Sequence, residues 1–284
     1  MPEGDLLVED MQFEWQGLLL GAHTDYHLER ADGLDLLDMR SYDSPRAGDH
    51  GVVSGRDLFA GRTIEVEFKV YAFAADATVS RLDELKARFD TQSSELPLAF
   101  RLPGVGKRVA FARPRRLAYT IPGRVRAVQA VAQWFCPDPR LYSVDEHGLY
   151  ANLPLPSEGR AYNRSAPREY GLLGSGGEVY PENAGDVATF PTLTITGPVT
   201  DPVTRREDDG REMRFDIALG PADVLVVDTQ FRTVTLNGST SRYSALLPQS
   251  EWIDLPPGRS TVSWTASSYD PAAELGVAWR DAYL

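Results

Sequence analysis

His23, Asp25 and His27 alternate along the chain. On a strand, three such side chains project from one face, and two imidazoles with a carboxylate are the donors of a metal triad. Neighbours on one strand rarely converge on a single ion, and His50 and His147 stand alone, so a surface strand or loop is the stronger reading. Gly104-Val105-Gly106-Lys107 has the end of a phosphate loop, but Arg101 stands where the leading glycine belongs and Arg108 where a hydroxyl would hold magnesium. Cys136 sits beside Pro137 with no helix start to activate its thiol. Neither a Gly-x-Ser-x-Gly elbow nor a His-Glu-x-x-His pair is present. Asp35, Asp38, Glu207, Asp208 and Asp209 are carboxylates in polar surroundings, as any acidic protein offers. The expectation is a chain without catalytic, cofactor-binding or metal residues, and not an enzyme.

With 284 residues, 42% of them hydrophobic, the chain suits two domains, at roughly 100 to 200 residues each. No stretch approaches the ~18 consecutive apolar residues of a membrane span, so no membrane insertion is expected. Met1 to Asp10 is acidic and lacks the pattern of a secretory signal, which predicts synthesis in a cytoplasm. One cysteine permits no disulfide within the chain and suits burial as a small apolar residue. A net charge of −12 argues against nucleic-acid capture by the whole surface, since phosphate binding rests on Lys and Arg. The charge is uneven: from Arg101 to Arg126 the chain carries Lys107, Arg108, Arg113, Arg115, Arg116 and Arg124 and no acid. Phe111 and Tyr119 interleave with them as in a single-strand binding face. A solvated hairpin flank, or a basic patch meeting an acidic neighbour, is the better reading.

The elements read mainly as strands. Thr63 to Tyr71 alternates, with Ile64, Val66, Phe68 and Val70 on one face and Thr63, Glu65, Glu67 and Lys69 on the other. Met11 to Trp15, Leu96 to Leu102, Arg108 to Phe111, Leu117 to Ile121 and Val125 to Trp134 are further strands. The spacing predicts one helix over Val79 to Phe89, capped by Thr78 or Ser80, with Glu84 and Arg88 paired on its outer face. Pro137 and Pro139 remove backbone donors after the strand ending at Trp134, so the chain must leave the sheet there. Residues 152 to 188 are dense in Pro, Gly, Ser and Asn, including Gly174 to Gly177, and read as a long loop or arm. Strands resume at Thr192 to Thr196, Met213 to Leu219, Val224 to Val227, Thr233 to Leu236, Ser260 to Trp264 and Gly276 to Trp279. Asn237-Gly238 is the strongest hairpin signal, because both residues accept positive φ. Strands at this spacing without helical signals form an antiparallel sandwich.

Read in order, several of these segments resemble distal tail proteins of long-tailed bacteriophages, the siphovirus tail component family. They include Gly17-Leu18-Leu19-Leu20-Gly21, Pro45-Arg46, Asp49-His50-Gly51, the single helix and the exit Asp138-Pro139-Arg140-Leu141-Tyr142-Ser143. In the second half come Asn183-Ala184-Gly185, Ile195-Thr196-Gly197-Pro198, Val234 to Gly238, Leu255-Pro256-Pro257-Gly258 and Trp279-Arg280. The resemblance implies a mainly β chain: an N-terminal β-sandwich or split barrel with one α-helix over 1–143, then a galectin-like antiparallel β-sandwich over 144–284 with the arm at about 152–188. It implies a homo-hexameric ring at the distal end of the phage tail in the virion. Such a ring meets the tail tube protein, a tape-measure or tail-associated hub protein and a receptor-binding protein, and passes DNA without specific binding. No cofactor is implied. The residues expected to carry structure and assembly are Glu65, Glu67, Pro137, Asp138, Pro139, Tyr142, Asn237 and Gly238. The alternative is a carbohydrate-binding module for host surface glycans, using exposed aromatics among Trp252, Trp264 and Trp279. An accessory glycan hydrolase is the enzyme reading.

Overall fold

The computed structural model describes residues 3–35, 37, 39–71, 75–121, 127–154 and 177–284. The chain divides into two units, Met1–Val144 with Tyr283–Leu284, and Asp145–Ala282. Asp38, Arg124, Val125, Asn163 and Gly174, together with the 155–176 stretch of the expected arm, lie outside the described residues.

The first unit is built from β1 (Gln12–Trp15), β2 (Leu18–Leu20), β3 (Tyr26–Asp32), β4 (Arg62–Tyr71), α1 (Ala75–Ala87), β5 (Leu96–Leu102), β6 (Gly106–Thr120), β7 (Ala127–Cys136) and β8 (Leu141–Ser143). The strands run in the order β2-β1-β5-β6-β7-β4-β3, and each consecutive pair is antiparallel. The two strands expected at Arg108–Phe111 and Leu117–Ile121 are one. Gly106 to Ala112 pair with β5 and Arg113 to Thr120 with β7, and the register against β7 shifts between Pro114 and Arg116. A proline at a bulge does not end a strand, because the missing donor falls where the ladder is already interrupted.

Strand β4 follows the alternation read from its sequence: Ile64, Val66, Phe68 and Val70 are fully buried and Glu65, Glu67 and Lys69 are intermediate. The buried face packs with Trp15, Trp134, Phe13 and Phe100 in one core. Trp15 and Trp134 meet edge to face at 5.8 Å, and Phe89 packs against both. Burial of each such side chain is worth roughly 1.5–3 kcal/mol, which is how a unit with one helix and no disulfide holds together. Helix α1 lays Leu82 and Leu85 on this core. It begins at Ala75, a turn earlier than the sequence predicts, so Thr78 and Ser80 are interior to the helix and not its caps. The indole of Trp15 donates to the Arg88 carbonyl just past the helix end at 2.9 Å, satisfying an acceptor that the helix leaves open.

In the second unit, β9 (His147–Asn152), β10 (Glu178–Val179), β11 (Thr192–Thr196), β12 (Val203–Arg206), β13 (Glu212–Arg214), β14 (Val224–Asp228), β15 (Thr233–Leu236), β16 (Thr240–Ser241), β17 (Val262–Thr265) and β18 (Glu274–Trp279) form two antiparallel sheets. Their orders are β9-β18-β11-β14-β15-β16 and β10-β17-β12-β13. Leu193, Ile195, Leu225, Val227, Leu275 and Val277 of the first sheet share a core with Met213, Val262 and Trp264 of the second. The expected strand Met213 to Leu219 is two short pieces, Glu212–Arg214 and Ala218–Leu219. The end of the expected arm is ordered rather than loop: Glu178–Val179 pairs with β17, and Glu182–Asn183 pairs with Gly258–Arg259.

Candidate assembly sites

The first-glance metal triad separates. His23 lies before β3 with φ of 58°, which breaks the two-residue alternation, and its imidazole meets Glu9 at 3.2 Å. Asp25 accepts from Arg81 of α1 at 2.7 Å, and the His27 ring packs edge-on against Tyr71 at 5.1 Å. No group of three His, Cys, Asp or Glu able to hold a metal occurs among the described residues. The carboxylates Glu207, Asp208 and Asp209 are likewise engaged: Glu207 accepts from Ser263 and Asp208 from the Thr261 amide, while Asp209 pairs with Arg206 and Arg211. Arg206 is nearly buried between Asp209 and Asp254, a knot that pins the ends of β12 and β13.

The exit after β7 is a polar lock inside the first unit. Pro137 ends β7, and the Asp138 carboxylate accepts the Arg140 amide at 3.1 Å and the Tyr142 hydroxyl at 2.5 Å. Pro139 contributes its carbonyl, which accepts from Arg62 Nε at 2.9 Å. Arg62 is fully buried, and its Nη1 also donates to the carbonyls of Gly33 at 2.7 Å and Asp35 at 2.9 Å. One guanidinium therefore ties three separated chain segments together. Burial pushes the Arg62 guanidinium below its ordinary range, and it pushes the Cys136 thiol up to about 12, so that sulfur stays protonated and inert. Burial, followed by the Asp138 charge and hydrogen bond, raises the Tyr142 phenol well above its ordinary value. Gly33 has φ of +78°, and a Cβ there would stand 1.9 Å from the Thr63 carbonyl oxygen. The sequence pattern does not by itself mark Arg62 as a site residue. Its signal is parity: it shares the inward-facing positions of Ile64, Val66, Phe68 and Val70.

Glu65 and Glu67 occupy the outer face of β4. Glu65 accepts from Gln133 of β7, and Lys69 on the same face pairs with Glu29 of β3. Both edges of β4 are hydrogen-bonded within the unit, to β7 and β3, so this strand has no edge left to offer a second chain. The basic segment meets acids as well: Arg101 pairs with Asp10 at 3.0 Å and Arg113 with Glu95 at 2.7 Å. Arg115 lies over the Phe135 ring and Arg108 over Tyr283.

Residues 39–59, between β3 and β4, form two stacked two-residue ladders, Met39–Arg40 with Leu58–Phe59 and Ser44–Pro45 with Val52–Val53. Gly48 and Gly51 supply positive φ at the tip. The hairpin contributes no residue to the core cluster of its unit. Met39, Tyr42, Val52, Val53 and Leu58 are all exposed, Val53 at 57%. This arm is a feature the strand reading missed, because segments of two residues carry no periodicity.

In the second unit, Asn237 and Gly238 have φ of 51° and 75° and turn β15 into β16. The Asn237 side chain accepts the Val224 amide at 2.9 Å and donates to Asp223 at 2.9 Å. Trp264 and Trp279 are buried, and their indoles donate to the carbonyls of Asn152 and Glu182. Trp252 is only partly buried and lies near-parallel to Tyr243.

Comparison with known proteins places these units. Residues 184–283 match the family model described as siphovirus-type tail component, C-terminal domain. The chain is similar in structure to the SPP1 Dit (gp 19.1) protein, described as a paradigm of hub adsorption apparatus in phages infecting Gram-positive bacteria. The TM-score is 0.67 at 16% identity, covering 96% of this chain and 99% of that one. A chain of the phage P2 baseplate, solved in its activated conformation with Ca, is similar with a TM-score of 0.52 at 11% identity, covering 94% and 97%. No curated protein matches the sequence. The molecule is a two-unit, mainly β protein. Its segment 184–283 matches the model of the siphovirus-type tail component family, and along nearly its whole length the chain shares the fold of SPP1 Dit.

Proposed function

We propose that the chain is a structural component of the phage tail tip. Six copies close a ring at the distal end of the tail, joining the tail tube to the host-adhesion apparatus and leaving a channel for DNA. Residues 1–143 form the ring, and residues 144–284 carry adhesion components. Its neighbours are the tail tube protein, a tape-measure or tail-associated hub protein and a receptor-binding protein. The role is mechanical and not catalytic. The observation that carries this reading is the tail component domain at 184–283 within a chain that shares its fold with a hub protein.

The geometry of the first unit supports it. A ring needs an element that leaves its own core and pairs elsewhere, and the 39–59 hairpin is such an element: it exposes Met39, Tyr42, Val52, Val53 and Leu58 and is free of the core. Exposed short strands with unpaired edges recruit further strands unless they are blocked. A second copy of this chain is the occupant proposed here, with Glu65 and Glu67 adding polar contacts. The net charge of −12 per copy suits a conduit that passes DNA without holding it. Light scattering and negative-stain imaging at several concentrations should show hexamers, or a monomer that closes into rings when tail tube protein is added. A chain that stays monomeric in the presence of the tube protein overturns the proposal.

A further inference from the structure

We propose that Asn237 is a site of spontaneous deamidation that the fold holds latent, with Asp223 as its latch. Of the four asparagines only Asn237 is followed by glycine. A glycine puts no side chain in the path of its own backbone nitrogen, which can then attack the side-chain amide of the residue before it. In that step the bond between the Gly238 nitrogen and Asn237 Cγ forms, the Cγ–Nδ2 bond breaks, and the product is a cyclic succinimide. The proton released by the Gly238 amide balances the one that the departing nitrogen takes up to leave as ammonia. Water then opens either carbonyl of the ring and leaves aspartate or isoaspartate, and nothing is oxidised or reduced. The nucleophile is accessible in this turn. Gly238 is exposed, an added Cβ would meet nothing within 4 Å, and its amide donates to no group among the described residues. Asn237 is exposed as well, so water reaches both.

What restrains the step is the electrophile. Asn237 Oδ1 accepts from the Val224 amide at 2.9 Å and Nδ2 donates to Asp223 Oδ1 at 2.9 Å, so both ends of the side-chain amide are held at the start of β14. The chain leaves in the other direction: in the order β14-β15-β16, Gly238 turns it towards β16, and the Ser239 amide closes the turn on the Leu236 carbonyl at 3.3 Å. Cyclisation needs Cγ over the Gly238 nitrogen, and the side chain reaches that position only by giving up its bonds to β14. Asp223 is itself fixed, because its other oxygen accepts the Gly220 amide at 2.8 Å. The hydrogen bonds from Asn237 and Gly220 hold its carboxyl below the ordinary range, so it is an ionised and strong acceptor. The product cannot be held in the same way. A carboxylate at 237 has no N–H for Asp223 and faces it as a like charge, and isoaspartate adds a carbon to the backbone of the turn that sets the pairing of β15 with β16.

The test ages the full chain in mildly alkaline buffer and follows residue 237 by peptide-mapping mass spectrometry. Heavy-oxygen water marks the hydrolysis, and electron-transfer fragmentation separates isoaspartate from aspartate. A synthetic peptide of residues 233–241 gives the unrestrained rate. Conversion in the folded chain should be at least about tenfold slower than in the peptide, because a hydrogen bond to a charged group must break first. Asp223→Ala should convert at least about fivefold faster than the parent. Asp228→Ala is the control, since it releases the Gln230 and Phe231 amides at the opposite end of the same hairpin without touching the latch, and it should convert like the parent. The peptide comparison decides whether or not a variant folds. The proposal is overturned if the folded parent converts as fast as the peptide, if the peptide itself does not convert, if folded Asp223→Ala converts as slowly as the parent, or if Asp228→Ala speeds conversion as much.

Discussion

Two segments of the first unit, the 137–142 exit and the 39–59 arm, both lie outside the long strands and carry many polar residues, yet the fold treats them in opposite ways. In the exit the polar groups are spent internally: Asp138 on Arg140 and Tyr142, and the Pro139 carbonyl on Arg62. In the arm the apolar side chains are left outside, with Met39, Tyr42, Val52 and Val53 more than half exposed. A segment that satisfies itself holds the unit together. One that leaves its apolar groups in water contributes little to the unit and has them available for something else. The comparison predicts large stability effects at the exit and small ones at the arm.

The largest effect is expected at Arg62. Arg62→Met keeps most of the stem but leaves the carbonyls of Gly33, Asp35 and Pro139 without their donor. The loss should be on the order of 4 kcal/mol, read as a shift of the urea midpoint. An effect under about 1 kcal/mol would mean that water replaces the guanidinium and that the lock is no lock. Gly33→Ala comes next. The added Cβ would overlap the Thr63 carbonyl, and the φ of +78° disfavours any side chain, so a loss of about 2–3 kcal/mol is expected. A variant as stable as the parent would show that β3 and β4 separate freely at this point.

Tyr142→Phe should be smaller at neutral pH, about 1.5–3 kcal/mol for one hydrogen bond to a carboxylate, and it carries a pH signature. The folded phenol titrates above its ordinary value of 10.0. Its contribution is therefore fully present below the unfolded pKa and is lost as pH rises, because the unfolded chain ionises first. Above about pH 10 each such tyrosine lowers stability by roughly 1.4 kcal/mol per pH unit. Tyr142→Phe should flatten the alkaline limb without abolishing it, since burial raises Tyr26 in the same direction. Urea titrations from neutral to alkaline pH measure both slopes, and parallel curves for variant and parent would remove Tyr142 from the account.

The same contrast explains what the sequence discloses. Strand β4 is legible because the nine residues Thr63 to Tyr71 alternate without interruption, and the exit because Pro137 and Pro139 remove donors at the end of a strand. The partner of that exit is not, because Arg62 lies 77 positions from Pro139 and only the fold brings them together. The sequence divides β6 in two because Pro114 looks like a stop, and starts α1 late because Thr78 and Ser80 look like caps. Local sequence chemistry sets the kind of each element, and tertiary packing moves its ends. The assembly role proposed for Glu65 and Glu67 follows from the split between the apolar and charged faces of β4, and a face pattern says nothing about which strand edges are free. The arm was invisible as an element, since its ladders are two residues long and its apolar positions follow neither helical nor strand period.

The smallest stability effect should accompany the largest change in assembly, and it lies in the arm. Val52→Lys with Val53→Lys places two charges on exposed positions of a ladder that contributes nothing to the core cluster. Surface substitutions of this kind move stability within ~0.5 kcal/mol, so the urea midpoint should match the parent. If a second copy covers these valines, burying two ammonium groups in its place is unfavourable, and ring closure should fail or need much higher protein concentration. The pairing of the two readouts is what decides. Rings that form at the parental concentration would place the contact elsewhere on the unit. A midpoint that falls by several times the surface value would show instead that the arm packs into its own unit, and the distinction between the two segments would be lost.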